Sequence, residues 1–247
     1  MNFAELIDNF LKYLKYEKGF SNNTIKSYNE DLVNFIEFLK NERIEDLNLL
    51  SYSSLTGYIT FLGKKGLKAS TVERKIASLK TFFNYLVKKK VISKNPAELI
   101  SSPKKQKRLP STLEVGEVFD LINIIPEDSP FSVRNKAMIM LLYASGLRVS
   151  ELTGLNPGDL DLKNGIVRIF GKGKKYRIVP VGNKTKAILY KYLLYRKELQ
   201  PKENALFVTK SGKRIQDRMV RYIINIYINE LAIQKKVSPH TLRHTFA

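Results

Sequence analysis

The chain has 247 residues, which is enough for two domains that each bury a hydrophobic core. Its 43 lysines and arginines outnumber 23 acidic residues and give a formal charge of +20, so we expect a polyanionic partner, nucleic acid before an anionic membrane surface. The absence of cysteine excludes disulfides, thiolate metal sites and thiol nucleophiles, and no apolar run is long enough for a membrane span. We therefore expect a soluble, cytoplasmic protein.

The first 100 residues carry four helical patterns, in which apolar residues recur at steps of three and four. The first helix ends at Gly19, and Ser21 caps the second. A shorter third helix covers residues 55–62. The fourth opens with Ser70 three residues before Glu73, which is the spacing of a capping box. These patterns predict an amino-terminal helical bundle over residues 1–100.

Residues 101–111, SSPKKQKRLPS, contain prolines near both ends and no apolar periodicity, so they are predicted to form an extended linker. The segment has two interpretations, a solvated run of charge or a strap along a phosphate backbone. Its basic residues are Lys104, Lys105, Lys107 and Arg108.

The second domain, residues 112–247, begins with helical patterns that Pro157 and Gly158 end. The period then changes to two over residues 165–181, which predicts a β-hairpin, with a short third strand at LDL before it. Helical patterns return over residues 183–199 and 217–233, and Pro239 favours the start of another helix. The predicted fold class is mainly α with a small antiparallel β-sheet: a helical bundle followed by a mixed α/β domain.

Both histidines of the chain, His240 and His244, lie one helical turn apart in SPHTLRHTFA. Such a pair is common in zinc sites, but Thr241 stands where a metalloprotease needs its glutamate, and no third histidine or cysteine completes a site. We therefore predict no metal. The simpler interpretation is that both histidines are ordinary residues at the start of a helix and have no function.

Two further motifs are weak when each is taken alone. Arg148, in ASGLRVSEL, has the spacing of a surface pair with Glu151, and Lys172, in IFGKGKKYRIV, has the position of a solvated hairpin tip. Together with HTLRH, in this order and spacing, they make the chain resemble the tyrosine recombinase (phage integrase) family, and its two-domain outline resembles the Xer branch. The resemblance spans nearly the whole chain.

The resemblance implies a catalytic role for four residues. It makes Arg148 and Arg243 the clamp on the scissile phosphate, Lys172 the general acid toward the leaving 5′ oxygen, and His240 an aid to proton transfer and phosphate binding. His244 and Glu151 have supporting roles. The chemistry agrees with these assignments, because a planar guanidinium suits two phosphate oxygens and phosphoryl transfer requires stabilisation of developing negative charge.

The family pattern continues beyond HTLRH to a further His or Trp and then to the tyrosine that attacks the phosphate. The last of the 13 tyrosines here is Tyr227, upstream of His240. We expect a chain truncated before its nucleophile, because the upstream catalytic positions are intact, and we expect the chain as given to be inactive in cleavage.

Polar and basic residues near helix starts are predicted DNA contacts, since helix amino termini favour phosphate. Ordinary capping explains part of this pattern. In the first domain the candidates are Asn23, Thr24, Lys26, Ser70, Thr71, Arg74 and Lys75, of which Arg74 and Lys75 are favoured. In the second domain the candidates are Lys174, Lys175, Arg177, Lys213, Arg214 and Arg218.

The sequence thus predicts a two-domain, C-shaped clamp around duplex DNA, which cleaves and rejoins strands through a phosphotyrosine without metal or nucleotide cofactor. By resemblance, protomers would act as a homo- or hetero-tetramer on paired half-sites, with the chain as given mostly monomeric in solution. Chromosome-dimer resolution is favoured, and a mobile-element integrase is the alternative. A DNA-binding protein without catalysis and a membrane-surface protein are the alternatives from other classes.

Overall fold

The structure is a computed structural model that describes residues 3–44, 46–101, 113–171, 176–233, 235 and 237–246. The chain divides into two compact units, Met1–Lys107 and Arg108–Ala247, a division that falls within the predicted linker segment. Residues 102–112 lie outside the described residues, so the predicted course of the linker stays a prediction.

The first unit contains the four predicted helices. The first helix continues into a π-helical turn at Tyr13–Glu17, and a short 3₁₀ turn at Leu47–Leu49 precedes the third. The four helices are α1 (Phe3–Lys12), α2 (Asn22–Asn41), α3 (Tyr52–Lys64) and α4 (Ala69–Lys88).

The start of α2 forms as predicted. Gly19 has φ +64°, a conformation that ends the preceding helical segment, and Ser21 Oγ accepts a hydrogen bond from the backbone N–H of Thr24 at 3.3 Å.

The predicted start of α4 is wrong by two residues. The helix begins at Ala69 with Lys68 as its N-cap, and no side chain caps it. The Lys68 carbonyl already accepts the N–H groups of Thr71 and Val72, at 2.8 and 3.1 Å. Ser70 therefore lies in the first turn of the helix, where its hydroxyl is not in the capping position.

Buried aromatic rings fill the core of the first unit. Phe35 meets Tyr58 edge-on with ring centroids 5.0 Å apart, and Phe10 meets Phe82 in the same way at 5.3 Å. Such edge-to-face pairs add to the free energy gained by removing the rings from water.

The second unit combines six helices with three strands in its described part. The helix α5 is one that the sequence patterns did not single out. The helices are α5 (Val115–Asn123), α6 (Pro130–Ser145), α7 (Val149–Gly154), α8 (Asn183–Arg196), α9 (Asp217–Glu230) and α10 (Pro239–Phe246).

The predicted hairpin and its short third strand are confirmed. Strands β1 (Leu160–Asp161), β2 (Ile166–Phe170) and β3 (Tyr176–Pro180) form an antiparallel sheet in the order β1-β2-β3. Val167 and Ile169 of β2 face the hydrophobic core, which matches the predicted period of two.

The helical stretch before the sheet is two helices, because the chain turns between α6 and α7. Gly146 ends α6 with φ +54°, which a side chain would disfavour, and Arg148 then becomes the N-cap of α7. This break places Arg148 at the amino end of a short helix, beside the sheet.

No helix among the described residues has both the length and the apolar character that crossing a membrane requires.

Candidate active site

The amino end of α7 holds Arg148 against Glu151. The Arg148 backbone N–H donates to Glu151 Oε2 at 2.8 Å, and its guanidinium Nη1 donates to Oε1 at 3.0 Å. The predicted pair between residues three apart is therefore present. It acts as a cap that fixes the direction of the arginine side chain.

Strand β3 brings a second arginine to the same carboxylate. Arg177 Nη1 and Nη2 donate to Glu151 Oε1 and Oε2, both at 2.8 Å, in a bidentate pair. The Glu151 side chain is only 6% exposed, so most of its solvation comes from these donors. Arg177 was predicted as a phosphate contact, and the structure adds a role that the sequence analysis did not assign.

The electrostatics of Glu151 reflect this pairing. Burial alone would raise the pKa of Glu151, but hydrogen bonds from Arg177 and Arg148 outweigh it and lower the pKa to about 2. The hydrogen bond to Glu151 in turn raises the pKa of Arg177. Glu151 is thus a permanent anion at neutral pH.

Helix α10 brings the third arginine. Arg243 Nη1 lies 3.9 Å from Glu151 Oε2, is buried, and makes no hydrogen bond with any of the described residues. The helix is seated by the fully buried Leu242 and capped by Ser238, whose Oγ accepts the Thr241 N–H at 3.3 Å. Arg148, Arg177 and Arg243 therefore converge on one carboxylate from three separate elements.

The remaining predicted catalytic positions are placed only in part. His240 lies in the first turn of α10 and is exposed, whereas only the helical backbone of His244 is described. Lys172, Lys174 and Lys175 lie outside the described residues. Within the part of the chain that is described, no three His, Cys, Asp or Glu side chains cluster in a way that could hold a metal ion.

Arg214 has a structural environment that the sequence analysis did not foresee. Its Nη1 donates to the carbonyls of Thr153 and Leu155 at 2.8 and 2.9 Å, and its Nη2 donates to Asn156 Oδ1 and the Asn204 carbonyl at 2.6 and 3.0 Å. The guanidinium therefore supports the carboxyl end of α7. This geometry favours a structural role over the predicted phosphate contact.

The other two candidates of this region, Lys213 and Arg218, are both exposed, so their side chains can reach a ligand from solution. Their contact with DNA stays a prediction.

In the first unit, the two favoured DNA-contact residues converge on a buried acid, Asp31 of α2. Arg74 Nη1 pairs with Asp31 Oδ2, Lys75 Nζ donates to Oδ1 at 3.1 Å, and Ser78 Oγ donates to Oδ2 at 2.8 Å. The Asp31 and Lys75 side chains are 1% and 8% exposed. Lys75 is therefore buried and held by Asp31, which favours a structural role, whereas Arg74 keeps an exposed guanidinium that can also meet a phosphate.

The remaining candidates of the first unit lie at the two helix starts. Asn23 and Lys26 are exposed in α2, and Lys26 Nζ lies 3.9 Å from Glu30. Thr24 is partly buried, and its hydroxyl lies 2.8 Å from Ser21 Oγ. Ser70 is exposed and Thr71 partly buried in the first turn of α4. The basic residues of the predicted linker, Lys104, Lys105, Lys107 and Arg108, lie outside the described residues.

One residue and one contact of these clusters were missed by sequence reasoning. No local motif around Asp31 of α2 marks it as the partner of Lys75, which lies 44 residues further along the chain. For the contact between Arg177 and Glu151, the sequence offers one signal, the alternation of apolar and polar residues in β3. This alternation does not reveal which residue Arg177 meets, because the partner is set by tertiary contact.

Comparison with known proteins identifies the family of the chain. Residues 7–90 match the phage integrase N-terminal SAM-like domain, and residues 111–247 match the phage integrase family. The chain is 43% identical over 249 residues to tyrosine recombinase XerC of Thermodesulfovibrio yellowstonii, a match that covers 98% of this chain and 81% of the relative. It is 39% identical over 246 residues to tyrosine recombinase XerD of Oceanobacillus iheyensis, covering 98% and 82%.

A solved structure shares the fold. The XerH site-specific recombinase bound to its palindromic difH substrate, in a post-cleavage complex, matches with a TM-score of 0.77 and 24% identity, covering 95% of this chain and 70% of that one. The likeness shows that the chain shares the fold of this recombinase. The chain belongs to the phage integrase family of tyrosine recombinases.

Proposed function

We propose that the protein is a site-specific DNA recombinase of the Xer type, which cleaves and rejoins DNA strands through a 3′-phosphotyrosine. The observation that carries the proposal is the convergence of three arginines on Glu151. The buried Nη1 of Arg243 has no hydrogen-bond partner in the part of the chain that the structure describes. Three guanidinium groups around one carboxylate leave an excess of positive charge, and guanidinium groups can bind two oxygens of a phosphate at once. The Xer-type role in chromosome-dimer resolution is favoured over mobile-element integration because the relatives in the comparison are Xer recombinases.

The arginines are proposed to act by stabilising charge. As the phosphodiester passes through its transition state, negative charge grows on the equatorial oxygens, and preorganised guanidinium groups lower its free energy without moving. The cap of α7 holds the Arg148 side chain, and α10 brings Arg243 to within 3.9 Å of the same carboxylate, so both residues lie at the site before DNA arrives. Two arginines in this role replace a divalent cation, and we expect cleavage to persist in excess chelator.

Proton transfer is assigned to Lys172 and His240. Lys172 belongs to the segment between β2 and β3 and is proposed as the general acid toward the leaving 5′ oxygen. His240 is exposed in the first turn of α10, three residues before Arg243, which supports a place at the same phosphate. His244 is proposed to support this site.

Both units are proposed to bind duplex DNA, with domain boundaries at residues 1–100 and 112–247 and a basic linker over residues 101–111. The proposal rests on the +20 charge and on the exposed Arg74 guanidinium. On paired half-sites, protomers are proposed to assemble as a tetramer.

Two tyrosines of the second unit have structural partners. Tyr192 is fully buried and donates to the Leu206 carbonyl at 2.8 Å, and the Tyr227 hydroxyl accepts from Asn135 at 3.2 Å. We therefore propose that neither is the nucleophile. Because all 13 tyrosines precede His240 in the sequence, we also propose that the 247-residue chain by itself binds DNA without forming a covalent adduct.

A nicked duplex carrying a family recombination site tests this proposal. The 247-residue chain should shift the duplex in a native gel yet give no species that survives denaturant, whereas a chain extended by a family tail that carries the tyrosine should give one. Arg148→Gln and Arg243→Gln in the extended chain should abolish the adduct and keep most of the gel shift. An extended chain that binds but never forms an adduct would favour the non-catalytic DNA-binding alternative.

A further inference from the structure

The hydrogen-bonding capacity of the Glu151 carboxylate is fully used. A carboxylate offers about four acceptor sites. Arg177 occupies two of them, through Nη1 and Nη2 at 2.8 Å, and Arg148 occupies two more, through its backbone N–H at 2.8 Å and Nη1 at 3.0 Å. No site remains for Arg243, whose Nη1 stands 3.9 Å from Oε2.

This saturation explains an otherwise costly arrangement. A buried N–H of a charged group without an acceptor is unfavourable, yet Arg243 Nη1 is in that state beside a buried anion. A movement of about 1 Å would bring it to the distance of a charge-assisted hydrogen bond, so occupancy of the acceptor sites, rather than distance, keeps the pair apart.

Of the two arginines that occupy the acceptor sites of Glu151, Arg177 determines whether Arg243 can pair with that carboxylate. Arg148 is tied to Glu151 by the local geometry of the α7 cap, which does not depend on the rest of the fold. Arg177 comes from β3 and covers both carboxylate oxygens with a planar fork, a geometry that lysine or glutamine cannot reproduce.

We propose that Arg177 is a positioning residue that acts through Glu151: by occupying both carboxylate oxygens, it prevents Arg243 from pairing with Glu151 and keeps that guanidinium available for a phosphate oxygen. The proposal rests on the proposed function for its ligand, a DNA phosphate. It also gives Arg177 a role distinct from the direct phosphate contact that the sequence suggested.

The first experiment needs no ligand and therefore tests the positioning role alone. Side-chain NMR of the ¹⁵N-arginine-labelled chain, with Arg243 assigned from Arg243→Gln, reports whether each guanidinium is rotationally locked by bidentate pairing. Arg177 should be locked and Arg243 rotating in the unmodified chain. In Arg177→Gln, Arg243 should become locked, and in Arg177→Gln combined with Glu151→Gln it should rotate again.

Arg168→Gln is the matched control, because Arg168 is an exposed arginine of the neighbouring strand β2 and its loss removes the same charge from the same sheet. It should leave Arg243 rotating. Arg177→Lys, which keeps the charge but donates from one point, should lock Arg243 in part. An Arg243 that rotates freely in Arg177→Gln, with an amide spectrum showing a folded protein, would overturn the inference.

The second experiment adds inorganic phosphate as the probe and follows the Arg243 signals. Arg177→Gln should weaken phosphate binding about tenfold, since one charge-assisted hydrogen bond is lost, and Arg168→Gln at most about twofold. In a chain that already carries Glu151→Gln, Arg177→Gln should weaken phosphate binding at most about twofold. Equal losses in both backgrounds would overturn the positioning role, whereas failure of the unmodified chain to bind phosphate would contradict the proposed function and leave the ligand-free result standing.

Discussion

At the scale of single residues, Glu151 is the group on which the arrangement of the site depends. Three arginines that would otherwise repel one another lie around it. Hydrogen bonds from Arg177 and Arg148 lower its pKa and so stabilise its anionic form. A single carboxylate can do this because it is buried, where pairwise interactions are less screened than at the surface.

The pH dependence of stability should report this role. Because the pKa of Glu151 is lowered from 4.5 to about 2 in the folded protein, its contribution is complete above pH 4.5 and is lost as the pH falls toward 2. In urea unfolding, Glu151→Gln should be less stable than the unmodified chain at pH 7, and the difference should shrink between pH 4.5 and 2. Glu198→Gln, on the exposed surface, is the control and should show no such convergence. A difference that stays constant with pH would contradict the ionic role.

Lys172 allows a sharper test of residue chemistry, in a chain extended by a family tail that carries the tyrosine. A positioned general acid contributes about 10²- to 10⁴-fold, so Lys172→Ala should slow cleavage by that factor. Replacing the bridging 5′ oxygen by sulfur creates a leaving group whose thiol has a pKa of about 8.5 and needs little protonation. Lys172→Ala should then cleave the sulfur substrate nearly as fast as the unmodified enzyme.

Arg148→Ala and Arg243→Ala are the matched controls for that test, because they stabilise charge on either substrate and should stay slow on both. Equal defects of Lys172→Ala on oxygen and sulfur substrates would show that it only positions DNA, and Lys174 would become the next candidate acid.

At the scale of elements, polar contacts of charged side chains fix the positions of helices that the apolar pattern alone does not determine. Asp31 fixes α2 to α4 through Lys75 and Ser78, and Arg214 fixes the carboxyl end of α7 through backbone carbonyls. Both sets place basic residues at defined positions of their unit.

Removing the Asp31 charge should destabilise the first unit. In Asp31→Asn the ammonium of Lys75 stays buried without its counter-charge, which typically costs about 3–5 kcal/mol. Urea unfolding measures the loss. Glu30→Gln breaks the exposed pair with Lys26 on the same helix and should change stability by less than about 1 kcal/mol. Similar losses for the two variants would contradict the importance of burial.

At the scale of the whole molecule, the +20 charge should dominate DNA binding. Each phosphate neutralised by a lysine or arginine releases condensed counterions, so affinity falls steeply with salt. If about six phosphates are contacted, the slope of log K against log salt should be roughly −5, measured by fluorescence anisotropy on a duplex. Arg74→Ala should reduce the slope by about one, and Lys75→Ala should change it less because that ammonium is buried. A slope near zero would contradict binding by phosphate contacts.

The sequence alone determined the helical bundle, the hairpin and the family, because apolar periodicity and short motifs are local properties. The period of two over residues 165–181 predicts β2 and β3, and Ser21 is the cap that its type and position indicate. The helix α5 and the start of α4 escaped this reasoning. The capping-box spacing suggested that Ser70 is the N-cap of α4. Two backbone hydrogen bonds to the Lys68 carbonyl instead set the N-cap two residues earlier.

Only the tertiary structure decided what the basic residues do. Arg74, Lys75, Arg177 and Arg214 have the same charge, yet their surroundings differ. Arg74 keeps an exposed side chain beside Asp31, and Lys75 is buried against that acid. Arg177 pairs with both oxygens of Glu151, and Arg214 donates to backbone carbonyls. The reason is physical: a cation's role depends on which acceptor lies within about 3 Å and on how much water remains around it. Both are set by residues distant in the chain.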